Sequence, residues 1–506
     1  MVVDSGFTRY RLNGMCSHDD PKIIWVSSFY EGKGSGTYEA PYTDISMAVR
    51  RAQPGNTVVL KPGNYSNRVS VQNSGTIDHP IRIVAENKGK AEVCCRAGWF
   101  FYDASDIIVS GITFRNIPHQ ALSAVGLCKR NSFNNLRFVN CGIDKDAPCT
   151  LFFGGSGAEC NVVEKCDFEV DQGSYKEGSD IPIGLMISEG DTEEGAEPNR
   201  NHVFRKNNFI NYGCAIVVGT RDEQYGAYSH IVENNHIRNC SSDGIRIKCG
   251  DTIIRGNVIQ RCTNNGISII NGRTDVIADN RIEICETGVY IGGHDCSLVN
   301  NCIVRSGKQG VLVATRSDET IPQQGNTIIE MNTFVDSGTE CCSRSCSNIL
   351  LDTNSPCIIR RNIFHGKGKP FSVRGKKEDL VRRGILYLDD NKISGGCSPA
   401  ESCGRLEISF SDKNADNYAN QSGYGASGWM SEGLKIPHKK ENTGVVSYKI
   451  GDYPKKILLK KNKNVKDSYF RSLYMSTERS DEEEEADPAF RSRGEDGIID
   501  FSDWDV

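Results

Sequence analysis

The feature that most constrains this chain is a segment that keeps returning. From residue 202 the sequence reads HVFRKNNFINYGCAIVVG, then HIVENNHIRNCSSDGIRIKCG, then DTIIRGNVIQRCTNNGISIING. DVIADNRIEICETGVYIGG, DCSLVNNCIVRSGKQGVLVAT, NTIIEMNTFVDSG and PCIIRRNIFHGKG follow. Each copy holds a short β-branched run, an Asn-x-apolar step, a turn, and a second run opened by small residues. Alignment puts Asn208, Asn235, Asn257, Asn280, Asn301, Asn332 and Asn362 in one column, at spacings of 27, 22, 23, 21, 31 and 30 residues. Ile112, Leu136 and Cys166 hold the same slot earlier, so the repeat runs from near residue 80 to near 370.

A period of this length, with no helix between the strands, predicts an all-β chain wound as a parallel β-helix of about ten coils. The crossover preference makes it right-handed. One coil cannot bury its own apolar face, but coils stacked about 4.8 Å apart bury Ile on Ile and Val on Val. Ile245, Ile247, Ile267, Ile269, Val289 and Ile291 are expected to point inward. Asn at a bend tolerates left-handed backbone, and its amide bonds to the Asn above and below. The column therefore reads as a structural ladder, not as a site.

The rest of the chain sorts around this frame. Residues 1–22 form an extension and 23–79 an amino-terminal cap. In the cap, Ile45, Ala48 and Val49 lie at helical spacing, with Thr43 as the expected N-cap. Such a cap covers strand edges that an open solenoid would expose. Residues 80–370 form the β-helix, 371–450 a carboxy-terminal cap region, and 451–506 a charged tail expected to be disordered. Residues 481–506 carry 11 acids and 2 arginines, so without them the net charge of −5 becomes −5 + 9, or +4. The basic run PKKILLKKNKNVK before them reads as solvated, and no nucleic-acid partner is expected.

No apolar run of 18 residues or more occurs, so no membrane span is expected. The amino terminus has no charged segment followed by an apolar core, so no leader is visible. That fits an extracellular chain whose leader was removed, or an intracellular or virion-like one. Of the 21 cysteines, Cys240, Cys262 and Cys285 recur at one slot of the repeat and read as small buried thiols. The run ECCSRSC at 340–346 lacks the paired CxxC of a metal knuckle.

One copy departs from its neighbours. In SSDGIRIKCG (241–250), Lys248 stands in an outward column with Gly219, Ile270, Gly292 and Ala314. The adjacent outward column is Val217, Arg246, Ser268, Tyr290 and Leu312. Small and apolar neighbours make a shallow trough in which an extended acidic polysaccharide could lie. Arg221 and His294 sit in the polar turns beyond. With Arg246 and Tyr290 they are candidate substrate-binding residues.

The span CAIVVGTRDEQYGAYSHIVENNHIRNCSSDGIRIKCGDTIIRGNVIQRC (214–262) resembles the central coils of the chondroitinase B and alginate lyase family. Residues 25–65 are similar to the amino-terminal cap of β-helix lyases and their relatives. The resemblance implies a right-handed β-helix that cleaves uronic-acid polymers by β-elimination, with calcium as cofactor. Carried over residue by residue, Lys248 matches the general base, Asn211 a calcium-binding asparagine and Asp243 one of two calcium-binding glutamates. The second glutamate corresponds to Ser241, and the catalytic arginine to Ile270. Arg273, three residues on, is the nearest substitute.

The implied chemistry is specific. Calcium on the substrate carboxylate would stabilise the developing enediolate, although Asn211 and Asp243 are a lean ligand set. A neutral lysine would take the C5 proton, and a cation such as Arg246 beside it favours that form. Arg273, Arg221 or Tyr290 would assist the leaving O4. Glycoside hydrolysis, which needs two carboxylates about 5–10 Å apart, fits less well, and the NTD, DD and GHG pattern of polygalacturonases is absent. The alternative reading is a non-catalytic β-helix that binds glycan or builds a cell surface, spike or capsid. The two departures favour it, and the Asn211, Asp243, Lys248 spacing favours the lyase.

Overall fold

Short runs of Val, Ile and Phe bounded by polar corners become strands of two to six residues in a computed structural model of the chain. The described residues are 20–144, 149–171, 182–188, 198–219, 229–293, 295–314, 327–339, 346–353, 357–366 and 368–373, with strand pieces at 386–389, 391–394, 434–435 and 447–448. Arg221, His294, residues 340–345 of the ECCSRSC run and the 451–506 tail lie outside them. The chain divides into two compact units, Met1–Thr252 and Ile253–Val506.

In the first unit three parallel sheets form the walls of the coils. Sheet A runs from Ile23–Val26 through Thr57–Leu60 and Ile81–Ala85 to Ile231–Glu233, sheet B from Gly63–Tyr65 to His236–Arg238, and sheet C from Ser70–Val71 to Ile245–Ile247. Coiling is thus already under way at Thr57, ahead of the repeat legible in the sequence. One helix, Ile45–Arg51, buries Ile45, Ala48 and Val49 as expected, but its N-cap is Asp44, whose carboxylate accepts from the Ser46 N–H. Asp outranks Thr at this position and sits directly before the first buried helical residue.

Side chains of like kind stack from coil to coil. Phe114, Phe138, Phe168 and Phe209 form a column inside sheet B, with successive centroids 5.3, 4.6 and 4.5 Å apart. Each fully buried large apolar side chain contributes about 1.5–3 kcal/mol. Ile245 and Ile247 are fully buried. Cys240 is buried and carries no disulfide.

A polar ladder runs beside sheet A and changes chemistry part-way. The Asn131 N–H donates to Asn161 Oδ1 at 2.9 Å, the Asn161 N–H to His202 Nδ1 at 3.1 Å, and the His202 N–H to His230 Nδ1 at 3.2 Å. The two imidazoles stack at 5.2 Å and are wholly buried. An Nδ1 that accepts is unprotonated, so each ring carries its proton on Nε2, which has no hydrogen-bond partner. Burial holds His202 down to about 3 and His230 well below the ordinary value of 6.5. The unfolded chain therefore takes up protons that the fold refuses. Stability is full above about pH 6.5 and falls by about 1.4 kcal/mol per pH unit per histidine below it, until His202 titrates near 3. His202→Asn, which continues the amide ladder, is expected to flatten the dependence of the urea midpoint on pH between about pH 6 and about pH 4. Equal slopes for variant and wild type would refute this account.

The second unit repeats the plan. Sheet A runs from Ile253–Arg255 to Leu386–Asp389, sheet B from Val258–Gln260 to Lys392–Ser394, and sheet C from Asn265–Ile269 to Phe371–Val373, all in parallel register. Parallel pairing thus extends to Ser394. Ile267, Ile269, Val289 and Ile291 are fully buried, as expected from their alternation. Cys262 and Cys285 are buried and carry no disulfide. A sulfur–sulfur hydrogen bond, followed by burial, raises the Cys285 thiol well above its usual range.

The predicted asparagine ladder is present, with two corrections. In the second unit the N–H of Asn257, Asn280, Asn301, Asn332 and Asn362 each donates to the Oδ1 of the next, ending on Asn391. In the first unit the member is Asn207, whose N–H donates to Asn235 Oδ1 at 3.0 Å. Asn208 opens the strand Asn208–Ile210 on its outer side. The left-handed residue at each bend is also not the ladder asparagine but the one before it, as at Asp279, Asn300 and Met331 with φ of 56°, 57° and 58°.

Candidate functional site

The outward side of sheet C in the first unit carries two of the predicted residues, Arg246 and Lys248, and the corner before its last strand carries Asp243. Register aligns Phe100, Ser123, Phe152, Met186, Val217 and Arg246 in one outward row. Phe100 stacks on Tyr102 with centroids 6.2 Å apart. The Phe152 ring packs over Gly154, where an added Cβ would sit 2.4 Å from its Cε1. The row is an apolar strip that ends on a cation. Lys248 follows in the next outward column, one residue beyond the Val218–Ile247 pair and so opposite Gly219. Its N–H donates to the Val218 carbonyl at 2.8 Å.

The corner before this strand fixes Arg246. The N–H groups of Ser241 and Ser242 donate to the carbonyls of Tyr212 and Gly213 at 3.0 and 2.8 Å, which anchors the turn to the coil below. Asp243 is only 2% exposed. Its Oδ2 accepts from Arg246 Nε at 2.8 Å, and Ser242 Oγ accepts from Arg246 Nη2 at 3.1 Å. Burial opposes the charge on Arg246, but the neighbouring Cys214 and Asp243 outweigh it and its pKa is raised. Sequence reasoning took Asp243 as a metal ligand and missed this pairing, although an acid three residues before an arginine at the start of a strand was a readable signal. It also missed the Phe100–Phe152–Met186 strip, whose members lie in coils too irregular for the alignment.

Asn211 occupies the corresponding corner one coil earlier, with φ of 61°. Its Nδ2 donates to the Val170 carbonyl at 3.0 Å, and its Oδ1 accepts from Asn239 Nδ2 at 3.2 Å. Asn211 Oδ1 and one carboxylate oxygen of Asp243 therefore already accept, one from an amide and one from a guanidinium. No cluster of three or more His, Cys, Asp or Glu side chains fit to hold a metal occurs among the described residues. As they stand, Asn211 and Asp243 do not fit a hard cation that wants six to eight oxygens.

In the second unit, Tyr290 stands in an outward row between Ser268 and Leu312. Its hydroxyl lies over Gly292, 2.9 Å from where a Cβ would be. Arg273 is exposed in the turn after Asn265–Ile269, and Ile270 is partly exposed. Among the described residues no helix is long and apolar enough to cross a membrane.

The family profile described as Chondroitinase B matches residues 40–148. The chain resembles polysaccharide lyases of the chondroitinase B and alginate lyase type. A second profile, described as "Right handed beta helix region", matches residues 196–355, which include Lys248, and agrees with the expected hand. The solved structure of a mannuronic acid specific polysaccharide family 6 lyase from human gut microbiota is 18% identical, with a TM-score of 0.55 over 70% of this chain and 83% of that one. The alginate lyase AlyF-OU02, solved as a complex with G6, is 16% identical, with a TM-score of 0.53 over 80% and 87%. The PL6 family alginate lyase AlyGC is 15% identical, with a TM-score of 0.57 over 85% and 56%. At such identities the likeness is one of fold. "Uncharacterized protein YwoF" of Bacillus subtilis (strain 168) is 24% identical over 124 residues, which span 22% of this chain and 26% of that protein.

Proposed function

We propose that the protein is a polysaccharide lyase that cleaves a uronic-acid polymer by β-elimination, with Lys248 as the base. The observation that carries this reading is the pair of basic residues at the end of an apolar strip on one outward face, Lys248 opposite a glycine and Arg246 held by a buried carboxylate. Aromatic rings on the outward face suit the flat faces of sugar rings, and the cations suit the carboxylates between them.

In the reaction, Lys248 Nζ takes the proton from C5 of the uronate. The C5–H electron pair becomes the C4=C5 double bond, and the C4–O4 bond breaks. The departing O4 takes a proton from solvent or from an acid of the groove. The product is an unsaturated uronate at the new non-reducing end. The carboxylate on C5 delocalises the developing charge, so a cation or fixed donors at that carboxylate lower the barrier. Calcium at that carboxylate would supply such charge, but Asn211 and Asp243 as paired do not fit it.

Alginate, pectate, chondroitin sulfate and dermatan sulfate form a sufficient panel. Purified protein is expected to generate the ultraviolet absorbance of unsaturated uronate on at least one of them. Binding without any such product across the panel would favour the non-catalytic glycan-binding reading.

A further inference from the structure

We infer that Arg246, and not a bound metal, is the cation that neutralises the substrate carboxylate. The inference rests on the lyase reading and deepens it. Asp243 is buried, and a buried carboxylate needs a partner; Arg246 Nε supplies it at 2.8 Å. Calcium at Asp243 would set a second, divalent cation against the guanidinium already paired there. At Asn211 it would share an oxygen that already accepts from the Asn239 amide.

The guanidinium is well placed for the alternative. It has five N–H donors. The Nε–H goes to Asp243 and one Nη2–H to Ser242. These two contacts fix the plane of the group and leave an Nη1–H and the second Nη2–H side by side, the fork that grips a carboxylate in bidentate fashion. Because the donors are held before substrate arrives, they need no reorganisation as charge develops.

Spacing makes the same point. Arg246 and Lys248 are two residues apart on one face, so their Cα atoms are about 6.5–7 Å apart. In a uronate the carboxylate carbon is bonded directly to C5. A base at the C5 proton and a cation at the carboxylate must therefore act on neighbouring atoms, and two long side chains from alternate positions of one strand can converge on them.

The test uses whichever polymer of the panel the wild type cleaves, and its methyl ester. With EDTA, or with added calcium, the wild-type rate is expected to change less than twofold, and calorimetry with calcium alone should give no saturable heat. Arg246→Gln, with its melting temperature checked against wild type, is expected to lose at least about 100-fold in kcat on the charged polymer. On the ester, which has no carboxylate charge to neutralise, it should lose less than about threefold. A structural role would lower both rates together and overturn the inference. Rate abolished by EDTA and restored by calcium would overturn it while leaving the lyase reading intact. Failure of wild type on every polymer would remove both.

Discussion

Lys248→Ala is expected to lower kcat by about 10²- to 10⁴-fold on the cleaved polymer, the usual contribution of a positioned general base. KM should change far less. The residue stands just past the end of Ile245–Ile247 with its backbone N–H already tied to Val218, so the truncation takes away the amine without disturbing the strand. The apolar strip and Arg246 stay in place to bind the chain. A loss in kcat and kcat/KM together marks an interaction made only in the transition state, whereas a rise in KM alone would mark a binding group. Steady-state rates with the melting temperature measured alongside decide between them. An active wild type whose rate is unchanged in Lys248→Ala would remove the lysine from the mechanism.

Asn301→Ala is expected to destabilise the protein by about 3–5 kcal/mol, because it strands several buried groups at once. Asn301 Nδ2 donates to the Ile277 and Val299 carbonyls at 2.9 and 3.1 Å and to Asn332 Oδ1 at 3.0 Å. Its Oδ1 accepts from both the N–H and the Nδ2 of Asn280 at 2.9 Å. The residue is wholly buried, so water cannot replace these partners without opening the coil. Urea unfolding of the variant beside wild type measures the loss. A change below about 1 kcal/mol would mean that the ladder is an accompaniment of the fold and not a support for it.

The solenoid was legible because its signal repeats. The alternation that buries Ile267, Ile269, Val289 and Ile291 recurs at the same offset from each ladder asparagine, so an error in one copy is corrected by the next. Where a copy offers two equivalent residues, that correction fails. In KNNF the ladder takes Asn207 and leaves Asn208 on the strand, a choice made by which backbone N–H faces Asn235. Thr43 and Asp44 presented the same ambiguity at the helix start. The candidate site was half legible. Lys248, Arg246 and Gly219 follow from alternation alone. Alternation does not reveal that the Asp243 carboxylate pairs with Arg246, because side-chain pairing at a corner depends on the turn and not on the period. The row from Phe100 to Met186 was hidden for a related reason: coils of unequal length shift its members out of any fixed spacing.

That inequality has a consequence of its own. Between successive rungs of the ladder in the second unit the chain spends 23, 21, 31, 30 and 29 residues, yet every rung closes at 2.9 or 3.0 Å. Position along the axis is therefore set by the rungs and not by counting residues. A corner can gain or lose ten residues while the next rung still closes at the same distance. Such a frame lets the rim of a groove be rewritten by insertion and deletion while its floor stays fixed, so variation in what is gripped and constancy in what holds the grip fall on different parts of the same polypeptide.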